Sequence, residues 1–315
     1  MLKVSVIIPV KNGATTLDKC LESIKAQSSV EIEIIILDSN STDTSIQIAK
    51  DYGAIIYTIQ EGSFNHGLTR NFGFEKASGE LLYFTVQDAW LSENWILEKM
   101  ISHFDDENVM AVCGHQAIPW GHLDKNPAYW FKRYSKPEVE KRYFPVIGSF
   151  AALPVKIQFE KSSWDDVNAM YRKSALEKIN FRNTNYSEDW LWANDALKNG
   201  MMLLRDPKLV TYHYHHMTFN YVYKTSFIVY YNFLIHFNHK QKILFSPNNF
   251  IRACYTIVKR KQLTFSKKFY WMFHNLGISF GFFVSSFRFN LMTTNKKKKH
   301  FLRLSKQLPQ GLQNN

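Results

Sequence analysis

Four stretches of this chain hold residues of types that do chemistry. Asp88 lies in Phe84-Thr85-Val86-Gln87-Asp88-Ala89, at the end of an apolar run. An acid in that place is a natural ligand for a divalent cation. It reads equally well as the acid of a turn or the cap of a following helix. Glu188-Asp189 stands between Ser187 and Trp190. A carboxylate held there can take a proton from a hydroxyl, although paired acids in a helix's first turn are also what the helix dipole favours. His213-Tyr214-His215-His216 follows a strand pattern. Alternate strand residues share a face, so His213 and His215 can address one site. Imidazoles there can ligate a metal or donate to a diphosphate; a polar loop with incidental histidines is the plainer account. Phe64-Asn65-His66-Gly67-Leu68-Thr69-Arg70-Asn71 places a forked guanidinium near a helix start. Arg70 can brace a phosphate or a carboxylate there, or simply face solvent.

The elements that must position these groups alternate in type. Val4 to Val10 is an apolar, β-branched strand, and Thr15 to Gln27 carries Leu17, Cys20, Leu21 and Ile24 at helical spacing. Glu31 to Leu37 is a second strand, followed by the polar turn Asp38-Ser39-Asn40-Ser41-Thr42-Asp43. Thr44 to Tyr52 reads as a helix closed by Gly53, Ala54 to Ile59 as a strand, and Leu68 to Ala77 as a helix ending at Ser78-Gly79. Leu81 to Val86 is a fourth strand that breaks at Gln87-Asp88. This alternation predicts βαβ crossovers and a mostly parallel sheet. In such sheets ligands bind beyond the carboxyl ends of the strands, and Asp38 and Asp88 both fall just past one.

From Gly114 to Lys161 the pattern is irregular, with Pro119, Pro127, Pro137, Pro145 and Pro154 among aromatics and charges. Long excursions of this kind serve as lids or acceptor surfaces. Strand and helix character resumes over Asp166 to Ile179. Ser187 to Lys198 is expected to be a helix with a Ser N-cap and an acidic first turn, stopped by Gly200. Met201 to Leu204 and Leu209 to His213 are expected as two short strands. Beyond Thr218, Tyr, Phe, Ile and Leu recur at helical spacing through Tyr221–Phe237 and Phe269–Phe287, with Lys and Arg between them. The basic run Lys296 to Lys299 follows, and the polar tail from about Leu308 is expected to be disordered.

Bulk composition narrows the classes. The 315 residues are 45% hydrophobic, enough for one large domain or a catalytic domain with an appendage. A net charge of +12 and a pI near 9.4 suit an anionic partner: nucleic acid, a membrane face or a phosphate-bearing substrate. The basic residues concentrate toward the C-terminal end and no RNP-like or helix-turn-helix pattern occurs, which argues against nucleic acid. Lys11-Asn12-Gly13 is too thin a match for the Gly-rich loop of a nucleotidyltransferase. Cys20, Cys113 and Cys254 are odd in number and widely spaced, which fits neither a disulfide framework nor a zinc site. Reduced thiols in a cytoplasmic protein are expected. The apolar start reads as a buried strand, not a signal peptide. No stretch reaches the ~18 apolar residues of a spanning helix.

The order of the motifs resembles the family 2 inverting glycosyltransferases of the GT-A fold, over roughly residues 3–218. The resemblance rests on Val4-Ser5-Val6-Ile7-Ile8-Pro9-Val10-Lys11-Asn12, then Leu37 through Asp43, then the Asp88 turn, then Glu188-Asp189. More narrowly, Phe64-Asn65-His66-Gly67 leading to Thr69-Arg70-Asn71, Gln87-Asp88-Ala89 and His213-Tyr214-His215 resemble the bacterial rhamnosyltransferase branch. That branch uses dTDP-β-L-rhamnose to build O-antigen, capsule or other cell-wall glycans.

The resemblance implies an α/β, Rossmann-like, mostly parallel sheet flanked by helices. Its donor side would span about 1–114 and its acceptor side 115–218, followed by a helical region over 219–307 and the tail 308–315. It implies that Pro9, Lys11 and Asp38 line the nucleoside pocket, with Asn12, Asn65, His66 and Gln87 also on the donor side. Asp88 would bind Mg²⁺ or Mn²⁺ as the second acid of a DxD-type motif. Asp189 would deprotonate the acceptor hydroxyl, supported by Glu188, in a single in-line displacement with inversion. Arg70 and His215 would lie near the diphosphate or metal, with His213 and Trp190 as further candidates. Two positions depart from the pattern. Ser39 stands where many relatives carry a second Asp, and Val86 occupies the first DxD position, so the metal rests on one carboxylate plus other ligands, His215 first among them. The implied partners are a nucleotide-sugar donor, dTDP-rhamnose ahead of UDP-sugars or GDP-mannose, and a glycan or lipid-linked glycan acceptor. An inactive scaffold with a transferase fold is the rival reading.

The aromatic, basic C-terminal region lies outside these motifs. Helical aromatic faces with Lys and Arg opposite can lie in a membrane interface. From the inner face of a bacterial cell membrane such a region would reach a lipid-linked acceptor. Lys296 to Lys299 would add about 1 kcal/mol per charge near an anionic leaflet. The alternative is a helical appendage that packs on the catalytic domain or on another subunit.

Overall fold

Residues 3–130, 138–238, 242 and 247–305 are described in a computed structural model. The expected disordered tail lies outside the described residues. In chain order the elements are β1 (Lys3–Val10), α1 (Leu17–Lys25), β2 (Glu31–Asp38), α2 (Ser45–Asp51), β3 (Ile55–Thr58), α3 (His66–Lys76) and β4 (Leu81–Phe84). Then come β5 (Ala89–Leu91), α4 (Ile96–Ser102), β6 (Val109–Ala117), β7 (Glu140–Arg142), α5 (Val155–Lys161), β8 (Ala169–Arg172), α6 (Lys173–Lys178), α7 (Glu188–Lys198) and β9 (Met202–His213). Among the described residues four helices follow: α8 (Phe219–Phe237), α9 (Pro247–Val258), α10 (Phe265–Leu291) and α11 (Thr294–Ser305).

The strands join one sheet in the order β3-β2-β1-β4-β8-β6-β9-β5, with β7 also on β9. β3, β2, β1 and β4 run parallel. β8 is antiparallel to β4, and β5 and β7 are antiparallel to β9. Both faces are covered, which is why the first strands read as continuous apolar runs. Val4, Val6 and Ile8 of β1 pack with Leu17, Leu21 and Ile24 of α1 on one side. Ile7 packs with Leu37, Phe84 and the fully buried Trp192 of α7 on the other. Cys20 and Cys113 are buried in these two cores as free thiols.

Two local expectations, the paired strands and the Ser cap, are corrected. The two strands expected over 201–213 are one strand, β9, because β7 pairs along its first half and β5 along its last. The partly irregular excursion over 114–161 holds the end of β6, then β7 and α5, and its residues 131–137 lie outside the described residues. Ser187 stands before α7, but its backbone is left-handed (φ 65°) and its hydroxyl makes no capping hydrogen bond.

The chain divides into two compact units. The first holds residues 3–116 and 138–213, the second 117–130 and 214–305. In the second unit α8 and α9 both pack on α10, and α11 packs on α8. Its apolar centre joins Trp130, Ile257, Leu263 and Trp271. Asn126 and Asn275 exchange two amide hydrogen bonds of 3.1 Å within it. The Arg260 guanidinium lies 4.2 Å over Trp120 and donates to the Pro127 carbonyl. Among the described residues, no helix is long and apolar enough to cross a membrane.

Candidate functional site

The parallel strands β2, β1 and β4 end side by side, and the loops leaving them are tied together. Lys11 follows β1, and its ammonium donates to the carbonyls of Ser39 (2.6 Å) and Asn40 (2.8 Å) beyond β2. Asn12 adopts a left-handed backbone (φ 48°), which Asn tolerates. Its amide N–H donates to Ser41 Oγ, and its side-chain oxygen accepts from the Thr42 N–H. Asp38, the last residue of β2, accepts the Ser41 N–H on its carboxylate. Gln87 binds both backbone groups of Lys11: its oxygen accepts from the N–H at 2.8 Å and its amide donates to the C=O at 3.1 Å. A Cβ at Gly13 would stand 2.7 Å from the Gln87 side-chain oxygen, so only glycine lets this amide in. Pro9 lies within β1 opposite Leu37. The residues expected on the donor side, Pro9, Lys11, Asn12, Asp38 and Gln87, therefore gather at the carboxyl ends of β1, β2 and β4, the usual ligand position in such sheets.

Asp88 occupies the tight turn between β4 and β5, and no helix follows it, so it is not a helix cap. The register Ala89↔His213 brings the end of β9 beside it. His213 Nε2 lies 3.3 Å from an Asp88 carboxylate oxygen, and both side chains are buried. His213 Nδ1 lies 2.6 Å from the Gln116 side-chain amide at the end of β6. His215, two residues after His213, completes a donor set of one carboxylate and two imidazoles of the kind a divalent ion takes.

The remaining candidates converge on Arg70. Asn65 caps α3 by accepting the Leu68 N–H, and its amide donates to the side-chain oxygens of Asn183 and Asn185 in the loop before α7. Gly67 permits that approach, since a Cβ there would lie 1.9 Å from the Arg182 carbonyl oxygen. One turn on, buried Arg70 pairs with Glu188 at 2.6 Å and with Asp166 at 3.0 Å. His66 Nδ1 stands 3.8 Å from the same Glu188 carboxylate. Asp189 accepts the Asp166 N–H on one oxygen and the Trp190 N–H on the other. The Trp190 ring packs edge-on against Phe159 with centroids 3.8 Å apart.

The electrostatics of this cluster are unequal. One guanidinium faces three carboxyl groups. Burial opposes ionisation of Glu188, but Arg70 and then His66 outweigh it and hold its carboxyl below the ordinary range. Burial raises Asp189 well above the ordinary range, and the charges of Glu188, Asp166 and Asp165 push it further. Asp166 is likewise raised by burial, against the pull of Arg70, and Tyr171 donates its phenol to it. The strongly basic carboxyl is therefore Asp189, the one least served by the arginine.

Asp165, Asp166 and Gln116 are missed by sequence reasoning. Asp38 and Asp88 stand at or after the end of a strand, whereas the adjacent acids Asp165-Asp166 stand just before one; paired acids beside an apolar strand are the signal that could have found them. Asp165 interacts electrostatically with both His213 and Asp189, so it connects the two halves of the site. Gln116 carries no sequence signal.

Comparison with known proteins gives the family and the fold. The family model described as Glycosyl transferase family 2 matches residues 5–179. The O-antigen chain rhamnosyltransferase RfbN of Salmonella typhimurium is 30% identical over 224 residues, 69% of this chain and 68% of that protein. WbaN of Salmonella anatum, of the same description, is 30% identical over 218 residues, 68% of this chain and 67% of that one. Among solved structures, the mannosyltransferase PcManGT of Pyrobaculum calidifontis, in complex with GDP-Man and Mn²⁺, superposes with a TM-score of 0.60 at 14% identity, covering 92% of this chain and 87% of that one. The Staphylococcus aureus protein TarS, residues 1–349 in complex with UDP-GlcNAc, gives a TM-score of 0.54 at 16% identity, covering 96% and 79%.

Proposed function

Because the chain belongs to glycosyl transferase family 2, in its rhamnosyltransferase-like branch, we propose that it moves L-rhamnose from dTDP-rhamnose onto a growing surface polysaccharide, with inversion at the anomeric carbon. The names of its Salmonella relatives support the sugar and the polymer. The observation that carries the chemistry is Asp189. A carboxyl whose proton affinity is raised by burial and then by three neighbouring acids is suited to accept a proton from a hydroxyl.

The donor lies across the crevice formed by Pro9, Lys11, Asn12, Asp38 and Gln87, its diphosphate toward Asp88. The residues Asp88, His213 and His215 suit a divalent ion, Mg²⁺ or Mn²⁺, which supplies positive charge against the leaving diphosphate. Asp189 takes the proton of the acceptor hydroxyl as that oxygen bonds to the anomeric carbon. The bond from that carbon to the diphosphate oxygen breaks, and nucleoside diphosphate departs with its electron pair. Arg70 keeps Glu188 ionised beside Asp189, so Asp189 remains a strong base without itself being paired to the guanidinium. The acceptor is a lipid-linked glycan at the inner face of a bacterial membrane.

A donor screen tests this reading. The chain is incubated with Mg²⁺ and dTDP-rhamnose, UDP-sugars or GDP-mannose, and nucleotide release is followed. Release of dTDP from dTDP-rhamnose is expected. Turnover of only a UDP or GDP donor would replace the sugar and keep the reaction class. Release of pyrophosphate would overturn the class.

A further inference from the structure

α10 has two apolar faces where a packed helix needs one. Its buried face, including Trp271, Ile278 and Phe289, joins the second unit's interior. Gly281 on that face lets the helix approach α8 closely, since a Cβ there would lie 3.0 Å from the Phe219 carbonyl oxygen. The opposite face carries Phe265, Phe269, Phe273, Leu276, Phe280 and Phe287, all exposed. At about 100° per residue these six fall within an arc of about 80°. From Phe265 to Phe287 the row runs for roughly 33 Å along the helix. Isolated exposed apolar residues need no explanation, but a continuous row marks a contact surface.

Charge identifies the contact. All 27 acidic residues lie at or before Asp206. Residues 219–315 contain 16 of the 39 Lys and Arg and no Asp or Glu. The rest of the chain, with 23 basic and 27 acidic residues, is net negative. The positive charge thus belongs to the region that exposes the aromatic row. Exposed Lys296, Lys298 and Lys299 follow directly after α10. A second copy of this chain would bring like charge against like, whereas an anionic bilayer complements both features.

We propose that α10 lies in the plane of an anionic lipid surface, its phenylalanine row inserted at the headgroup boundary and the flanking lysines on the lipid phosphates. No described helix is apolar enough to span, so the contact is peripheral. This deepens the functional reading above, because a lipid-linked acceptor presents its sugar at that surface.

The test is co-sedimentation of the full chain with vesicles of phosphatidylcholine alone and of phosphatidylcholine containing one third phosphatidylglycerol. Binding to the anionic vesicles only, reversed by salt, is expected. Phe269→Glu with Phe273→Glu, and separately Gln at Lys296, Lys298 and Lys299, should each weaken it about tenfold or more. Both variants should keep the far-UV spectrum and the donor turnover of the parent, since these side chains are exposed and outside the site. Equal binding to neutral vesicles, or none to either, overturns the proposal. So does a lipid-free dimer, seen by light scattering, that the Phe substitutions dissociate. The assay needs no nucleotide. A chain that binds vesicles but turns over no sugar nucleotide refutes the transferase reading alone, and the converse result refutes only this one.

Discussion

The proposed base, Asp189, owes its raised proton affinity to burial and then to its acidic neighbours, and that makes its behaviour with pH specific. A carboxyl accepts the hydroxyl proton only when ionised. Its affinity for protons is raised in the folded chain, so the active fraction, and kcat with it, grows as pH rises through that raised value. Asp166→Asn removes one of the negative charges responsible, so the acid limb of kcat should move to lower pH. An unmoved limb would remove Asp189 from the role. Asp189→Asn should lower kcat by about 10²–10⁴ and leave donor KM near its original value. At the other half of the site, Gln116 meets Nδ1 of His213 at 2.6 Å. An amide can present its oxygen there, which holds the proton on Nδ1 and leaves Nε2 to a cation on the Asp88 side. Gln116→Leu should therefore weaken Mn²⁺ binding by about 10–100-fold in calorimetry. Unchanged affinity would take His213 out of the ligand set.

At the scale of elements, α3 and α7 form the frame that holds the acids, and Arg70 is what couples them. Replacing it by Met leaves buried carboxylates without their cation, which should cost about 3–5 kcal/mol near neutral pH in denaturant titration. The sign with pH is defined. Glu188 is held below its ordinary value in the fold, so it contributes stability above its unfolded pKa and loses that contribution as pH falls through the folded one. The Arg70→Met deficit should therefore shrink toward acid pH; a deficit that does not shrink would mean that Arg70 acts by packing alone. Gly67→Ala tests the same joint sterically, through the Arg182 carbonyl, and should destabilise by about 1–3 kcal/mol or more. The elements themselves were legible: apolar runs and helical spacing located β1, α1, β2 and β4, because both faces of that sheet are buried. The pairing inside the frame was not. Arg70 meets Glu188 and Asp166 across about a hundred residues of chain, and a lone arginine gives no sign of whether it will face phosphate or carboxylate. The joining of two expected strands into β9 was hidden for the same reason, since partners distant in sequence determine it.

For the whole molecule, the overall charge of +12 misleads when taken as one number. It suggested an anionic partner, yet residues 1–218, which carry the proposed donor crevice, are net negative, and the excess belongs entirely to residues 219–315. Sequence character also marked a change near Thr218. It did not reveal that 117–130 belong with the C-terminal helices, a grouping that depends on contacts such as Asn126 with Asn275. The segregation of charge predicts a divergence in salt dependence. Lipid contact through exposed lysines is screened steeply, as the Debye length falls from about 10 Å at 0.1 M to about 3 Å at 1 M. Donor contacts in a partly buried crevice are screened far less. Raising salt across that range should release the chain from anionic vesicles while donor KM, measured with a water-soluble acceptor, changes by no more than about threefold. If KM rises as steeply as vesicle binding falls, donor and lipid draw on one basic surface, and the division of labour between the two stretches of chain is wrong.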